Sequence, residues 1–112
     1  MTPIKTALLS FGMSGKVFHA PFINVHPGFE LAGSWERSKR IINDFYPGVT
    51  SYPSLETLLA DDSVELVIVN TPTATHYDYA RQALLAGKHV IVEKAFTTTV
   101  EEAVELKNLA EK

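Results

Sequence analysis

The segment Ser10-Phe11-Gly12-Met13-Ser14-Gly15 is the first in this chain of 112 residues whose residue types and spacing have an obvious chemical use. Against the pattern G-x-G-x-x-G, the second and third glycines are present as Gly12 and Gly15, and Ser10 takes the place of the first. The second glycine lets the backbone approach a pyrophosphate, and the third lets the following helix pack closely on the strand before it. Met13 and Ser14 fill the turn, where unpaired amides at a helix start offer partial positive charge to phosphate. Glu36 follows 21 positions after Gly15. That is the distance at which a carboxylate accepts hydrogen bonds from an adenosine ribose. Arg37, Ser38, Lys39 and Arg40 come directly after it. A guanidinium there can pair with the additional phosphate of NADP or lie on the adenine. The residues therefore point to NAD or NADP and leave the choice open. The plainer readings are a glycine-containing strand-to-helix turn and a solvated, charged helix start.

Such groups act only if regular elements carry them. Ile4 to Ser10 is an apolar run ending in the glycine turn, which predicts a buried strand. Gly15 to about Val25 has helical spacing, with Pro21 required to lie early in the helix or to kink it. Phe29 to Glu36 predicts a second strand, Lys39 to Tyr46 a short helix and Val49 to Tyr52 a third strand. Ser54 is placed to cap a helix through Leu58 and Leu59. Glu65 to Asn70 is the clearest buried strand. A helix from about Thr75 to Ala86 ends at Gly87, His89 to Glu93 forms the next strand, and Thr99 with Glu102 has the spacing of a capping box for a final helix from Val100. Continuous apolar strands alternating with helices predict an α/β fold, a Rossmann-like doubly wound parallel sheet in three α/β/α layers. In such sheets ligands bind beyond the carboxyl ends of the strands, where strand order reverses.

Composition narrows the partners. The net charge of −3 argues against nucleic acid, whose binders carry a basic face. With no cysteine, disulfides, thiol catalysis and thiolate metal sites are excluded. His19, His26, His76 and His89 lack metal-ligand spacing, so no metal is expected. His19 reads as a partly buried, satisfied histidine near the cleft, and His89 as structural. The apolar runs are too short for a membrane span, and the N-terminus lacks the pattern of a signal peptide. The expected compartment is cytoplasmic. With no linker or repeat, residues 1–112 read as one domain. Asp61-Asp62 and the acidic face Glu101, Glu102, Glu105 and Glu111 read as solvated, and Trp35 as packed against a helix.

Two later segments add a resemblance. Asn70-Thr71-Pro72-Thr73-Ala74-Thr75-His76 follows a buried strand, and Ala86-Gly87-Lys88-His89-Val90-Ile91-Val92-Glu93-Lys94-Ala95 spans another. With the first turn they resemble the glucose-fructose oxidoreductase / inositol dehydrogenase (Gfo/Idh/MocA) family, whose segments read T-P-x-x-x-H and A-G-K-H-V-x-x-E-K-P. The chain departs from that pattern at Ala95, where the family has proline.

The resemblance implies an oxidoreductase that uses NAD or NADP on a hydroxyl or carbonyl carbon of a sugar, inositol or related polyol. It implies that Lys94 assists proton transfer and that Glu93 lies beside the nicotinamide ribose. It also implies that Asn70, Thr71, Pro72 and His76 line the cofactor cleft. Partial burial beside a cationic nicotinamide would lower the lysine pKa toward neutrality, which suits proton exchange; read from the residues alone, Lys94 is an exposed strand-end lysine. A further strand and a C-terminal substrate domain are expected beyond Lys112. Without them the expectation is an uncovered apolar surface, an open sheet edge and self-association. The alternative is a non-enzymatic dinucleotide sensor or co-regulator of the same fold. Lys94 favours the enzyme; Ser10 and Ala95 favour the sensor.

Overall fold

The computed structural model describes residues 3–11, 19–36, 41–93 and 99–111. Five strands and five helices alternate: β1 (Ile4–Leu8), α1 (Ala20–Val25), β2 (Phe29–Trp35), α2 (Ile42–Phe45), β3 (Thr50–Tyr52), α3 (Leu55–Ala60), β4 (Leu66–Val69), α4 (Thr73–Leu85), β5 (His89–Val92) and α5 (Val100–Ala110). The sheet order is β3-β2-β1-β4-β5, and every pairing is parallel. The first two crossovers move outward from β1 to one side. The third returns past β1 to place β4 on its other side, so the order reverses between β1 and β4.

Side-chain alternation along the strands feeds two cores. Ala7, Leu9, Val67 and Val69 meet Leu55 and Leu58 of α3, Ala80 and Ala83 of α4 and Leu106 of α5. On the opposite face Leu8, Leu31 and Ile68 meet Ala20 and Ile23 of α1 and Ile42 of α2. This is the expected three-layer arrangement, except at β5. There Val90 and Val92 join the first core, while Ile91 on the other face remains 48% exposed. Cover on both faces was expected from an apolar run. The run reports strand propensity, but cover depends on where helices land, and the described helices leave Ile91 half exposed.

Local signals were realised closely. Ser54 and Thr99 accept the amides of Thr57 and Glu102. Gly87, at φ +82°, ends α4 with the Lys88 amide on the Ala83 carbonyl and its own amide on Leu84; these are the paired bonds of a Schellman cap. Pro21 lies at the start of α1, as its missing amide requires. Over the described residues α1 spans Ala20–Val25 and α2 Ile42–Phe45; the expected starts of both helices, at Gly15 and Lys39, lie outside the described residues. Trp35 packs edge-on against Tyr79 of α4, with ring centroids 5.5 Å apart.

Asp61 is more than a solvated loop residue. Its carboxylate accepts the Tyr52 hydroxyl at 2.7 Å and both the amide and hydroxyl of Ser63, while its carbonyl accepts the Lys88 ammonium at 2.8 Å. This hub ties β3, α3 and the turn into β5 together. Glu105 stays on the solvated face and there accepts from Tyr77 and Arg81, tying α5 to α4.

Two outcomes are expected. The Ser63 and Tyr52 hydrogen bonds hold the Asp61 carboxyl below its ordinary range, and burial with the Asp61 carboxylate pushes the Tyr52 phenol up. The hub's contribution is therefore complete between roughly pH 4 and 10, the ordinary carboxylate and phenol values. It is lost as pH falls through the lowered Asp61 pKa and as pH rises through the raised Tyr52 pKa. Asp61→Asn should flatten the acid limb of a melting-temperature-against-pH curve; an unchanged limb would exclude the hub. At Gly33, an added Cβ would lie 1.9 Å from the Thr50 carbonyl oxygen. Gly33→Ala should therefore lower the thermal midpoint by roughly 10 °C or more.

Candidate functional site

The reversal between β1 and β4 brings the ends of these strands together, with a polar cluster beyond them. The β4–β5 register pairs Val69 with Val92, so Asn70 and Glu93 leave the sheet side by side. The Asn70 amide group donates to the Ser10 carbonyl at 3.0 Å, joining the end of β4 to the residue that opens the glycine turn. Its other polar atom, Oδ1, is buried and has no hydrogen-bond partner among the described residues. Buried carbonyl oxygens are nearly always paired in folded proteins. Such an acceptor at a strand-order reversal calls for a donor from beyond the described residues.

Asn70, Thr71 and Pro72 form the turn into α4, with Asn70 and Thr71 buried and Pro72 exposed. The turn is internally braced. The Thr75 hydroxyl lies 2.6 Å from both the Pro72 carbonyl and the Thr71 hydroxyl. His76, only 1% exposed, donates from Nε2 to the Thr71 carbonyl at 2.7 Å. His76 thus supports the cleft from behind and does not present its ring at the cleft surface.

Glu93 is fixed differently. Its amide donates to Val69, and its carboxylate lies 2.5 Å from Nε2 of His19, just before α1. Both side chains are about a quarter exposed. The pair clasps α1 to the end of β5 across the mouth of the cleft. His19 is the residue whose importance to the site sequence reasoning missed: it reads correctly as satisfied and partly buried, but no local pattern connects positions 74 apart.

Glu36 stands at the end of β2, 9% exposed. Its Oε1 accepts the Ile41 amide at 3.1 Å, and its Oε2 accepts the Ile42 amide at 3.1 Å and the Ser34 hydroxyl at 3.4 Å. The structure therefore gathers Asn70, Thr71, His76 and Glu93 at one place and sets Glu36 apart, against α2. Gly12, Met13, Ser14, Gly15, Arg37 and Lys94 lie outside the described residues.

A groove of about 820 Å³ lies elsewhere, between α4, β5 and α5. Ala80, Leu84, Val90, Val92 and Ala103 line it. With so little polar lining it cannot orient a dinucleotide, and it is better understood as incompletely covered core. No described helix is long and apolar enough to cross a membrane.

Comparison with known proteins agrees with this geometry. Residues 4–112 match the family model described as "Oxidoreductase family, NAD-binding Rossmann fold". An uncharacterised oxidoreductase of Schizosaccharomyces pombe is 46% identical over 98% of this chain and 31% of its own length. The scyllo-inositol 2-dehydrogenase (NADP(+)) of Bacillus subtilis is 38% identical over 96% of the chain and 30% of its own length. An oxidoreductase structure from Bacteroides fragilis superposes with a TM-score of 0.94 at 50% identity, covering 99% of this chain and 34% of that one. The chain thus spans about a third of the relatives it matches.

The His19–Glu93 clasp is testable without a ligand. A double-mutant cycle of His19→Ala and Glu93→Ala, read by denaturant unfolding, should give a coupling energy of about 1 kcal/mol. Zero coupling would mean that the pair does not form in solution.

Proposed function

Since the chain belongs to the Gfo/Idh/MocA family of NAD-binding Rossmann-fold oxidoreductases, we propose that it serves oxidation or reduction at a hydroxyl or carbonyl carbon of a sugar, inositol or related polyol. The nicotinamide dinucleotide, NAD or NADP, supplies hydride acceptance or donation when bound. The observation that carries the reading is the buried Oδ1 of Asn70 at the β1–β4 reversal, without a partner among the described residues. It fits a group that brings hydrogen-bond donors to the carboxyl edge of a parallel sheet. The B. subtilis relative, an inositol dehydrogenase that uses NADP, supports the substrate class and keeps both cofactors in play.

The residues divide the work. Gly12, Met13, Ser14 and Gly15 receive the pyrophosphate at the end of β1. Asn70, Thr71 and Pro72 line the nicotinamide side, with His76 holding their turn. Glu93, steadied by His19, faces the nicotinamide ribose. Lys94 follows it and exchanges a proton with the substrate hydroxyl. Glu36 and Arg37 stand at the adenosine end. The whole protein places its substrate against this cleft with a further domain and works in the cytoplasm; the bare face of β5 makes self-association of the chain alone the expected behaviour.

Calorimetric titration of the folded chain with NADH and NADPH should show binding of at least one. Asn70→Ala should weaken it about tenfold, the loss of one buried hydrogen bond. No binding of either nucleotide would overturn the reading. Turnover with a polyol is expected to be absent, because hydride transfer needs the substrate held in place.

A further inference from the structure

The carboxylate at the end of β2 is the usual means by which such a cleft holds a ribose diol and refuses a ribose phosphate. In this chain that carboxylate is engaged in another way. Glu36 is 9% exposed and reaches forward along the chain to the start of α2. Ile41, the residue that precedes this helix, has no side-chain group able to cap it. The first amides of a helix need acceptors, and Glu36 supplies them from five and six positions upstream. Ser34, fully buried in β2, adds its hydroxyl from below.

A carboxylate has about four acceptor positions. Three are filled by described residues, Ile41, Ile42 and Ser34. A ribose diol brings two donors, so Glu36 could hold it only by giving up one of these bonds, and release of either amide would be costly. Ile42 is fully buried in the core beneath α2, and Phe45 and Tyr46 at the end of the helix enclose Phe11, with ring centroids 5.6 and 6.1 Å from it. Phe11 directly precedes Gly12. Loosening the start of α2 would disturb the packing that carries the phosphate turn. The two main-chain amides also set partial positive charge against the carboxylate. The sequence that follows, Arg37-Ser38-Lys39-Arg40, adds three cations and no second acid.

We propose that Glu36 is the brace for the start of α2 and not a ribose ligand, and that the chain in consequence binds NADPH at least as tightly as NADH. The cofactor half of this rests on the dinucleotide reading above; the brace does not.

The experiment has two arms on the same proteins, wild type and Glu36→Gln. In the first, without nucleotide, amide hydrogen exchange is followed at Ile41 and Ile42. The brace predicts exchange at both faster by about tenfold or more in the variant, with a lowered thermal midpoint. Unchanged exchange at both would overturn it. In the second, calorimetry gives the NADH and NADPH affinities. The proposal expects wild type to bind NADPH as tightly or more tightly, and the ratio to move by less than about threefold in Glu36→Gln. A wild type that prefers NADH by about tenfold or more, with the preference collapsing in the variant, would show that Glu36 reads the ribose and would overturn the proposal. Binding of neither nucleotide by folded wild type would overturn the dinucleotide reading and the cofactor half with it, while exchange at Ile41 and Ile42 still decides the brace. Should Glu36→Gln fail to fold, Ser34→Ala removes one of the three donors and serves for the exchange arm, and the wild-type ratio alone decides the cofactor.

Discussion

The parallel pairing of β1 with both β2 and β4 is the constraint from which the rest of the molecule follows. A parallel neighbour can be reached only by a crossover, and crossovers of one hand put their helices on one face when the chain moves in one direction and on the other face when it reverses. The chain moves from β1 to β3 and then returns to β4. That single reversal sorts α1 and α2 from α3, α4 and α5 and gives the sheet its two cores. It also leaves a crevice at the ends of β1 and β4 that no helix start can fill. The Asn70 bond to Ser10 spans the crevice, and the glycine turn opens from it.

Polar side chains near this edge fall into two groups, and burial alone does not separate them. His76, Glu36 and Asn70 are all at least nine-tenths buried. His76 and Glu36 make bonds that hold backbone turns: the first fixes the Thr71 carbonyl, and the second fixes two amides before α2. Asn70 does half of the same work with its amide group, and its oxygen has no partner among the described residues. The difference lies in what remains unsatisfied once the fold is complete. An unpaired buried acceptor costs free energy, and a chain keeps such a group where something else completes it.

What was legible in the sequence was local. The runs Leu66–Val69 and Ala7–Leu9, the caps at Ser54 and Thr99 and the terminating Gly87 each act within a few positions, and each is where its pattern places it. The order of the elements and the fold class follow from them. Cover was not legible. Val90 and Ile91 are similar residues, yet one packs in the core and the other is half exposed, because among the described residues helices pack on one face of β5 and leave Ile91 on the other. Nor was partnership. Whether Glu36 turns outward or toward Ile41 is a choice of side-chain rotamer that spacing does not encode. Asp61 looked like half of an acidic loop until the Tyr52 hydroxyl and the Lys88 ammonium arrived from distant strands and turns.

The central position of β1 also bears on how the chain reaches this state. Strands β1 to β3 with their two helices are complete by Tyr52, so one half of the sheet can assemble from near neighbours. The other edge of β1 is filled only when Thr6 to Leu8 pair with Leu66 to Ile68, some 60 residues later. Long closures of this kind are slow compared with local ones. On a ribosome, one edge of β1 therefore waits unpaired while the next 60 or so residues are made, and a nascent chain in that state is open to pairing with its neighbours. The same strand that organises the finished domain is the one most exposed to error while it forms.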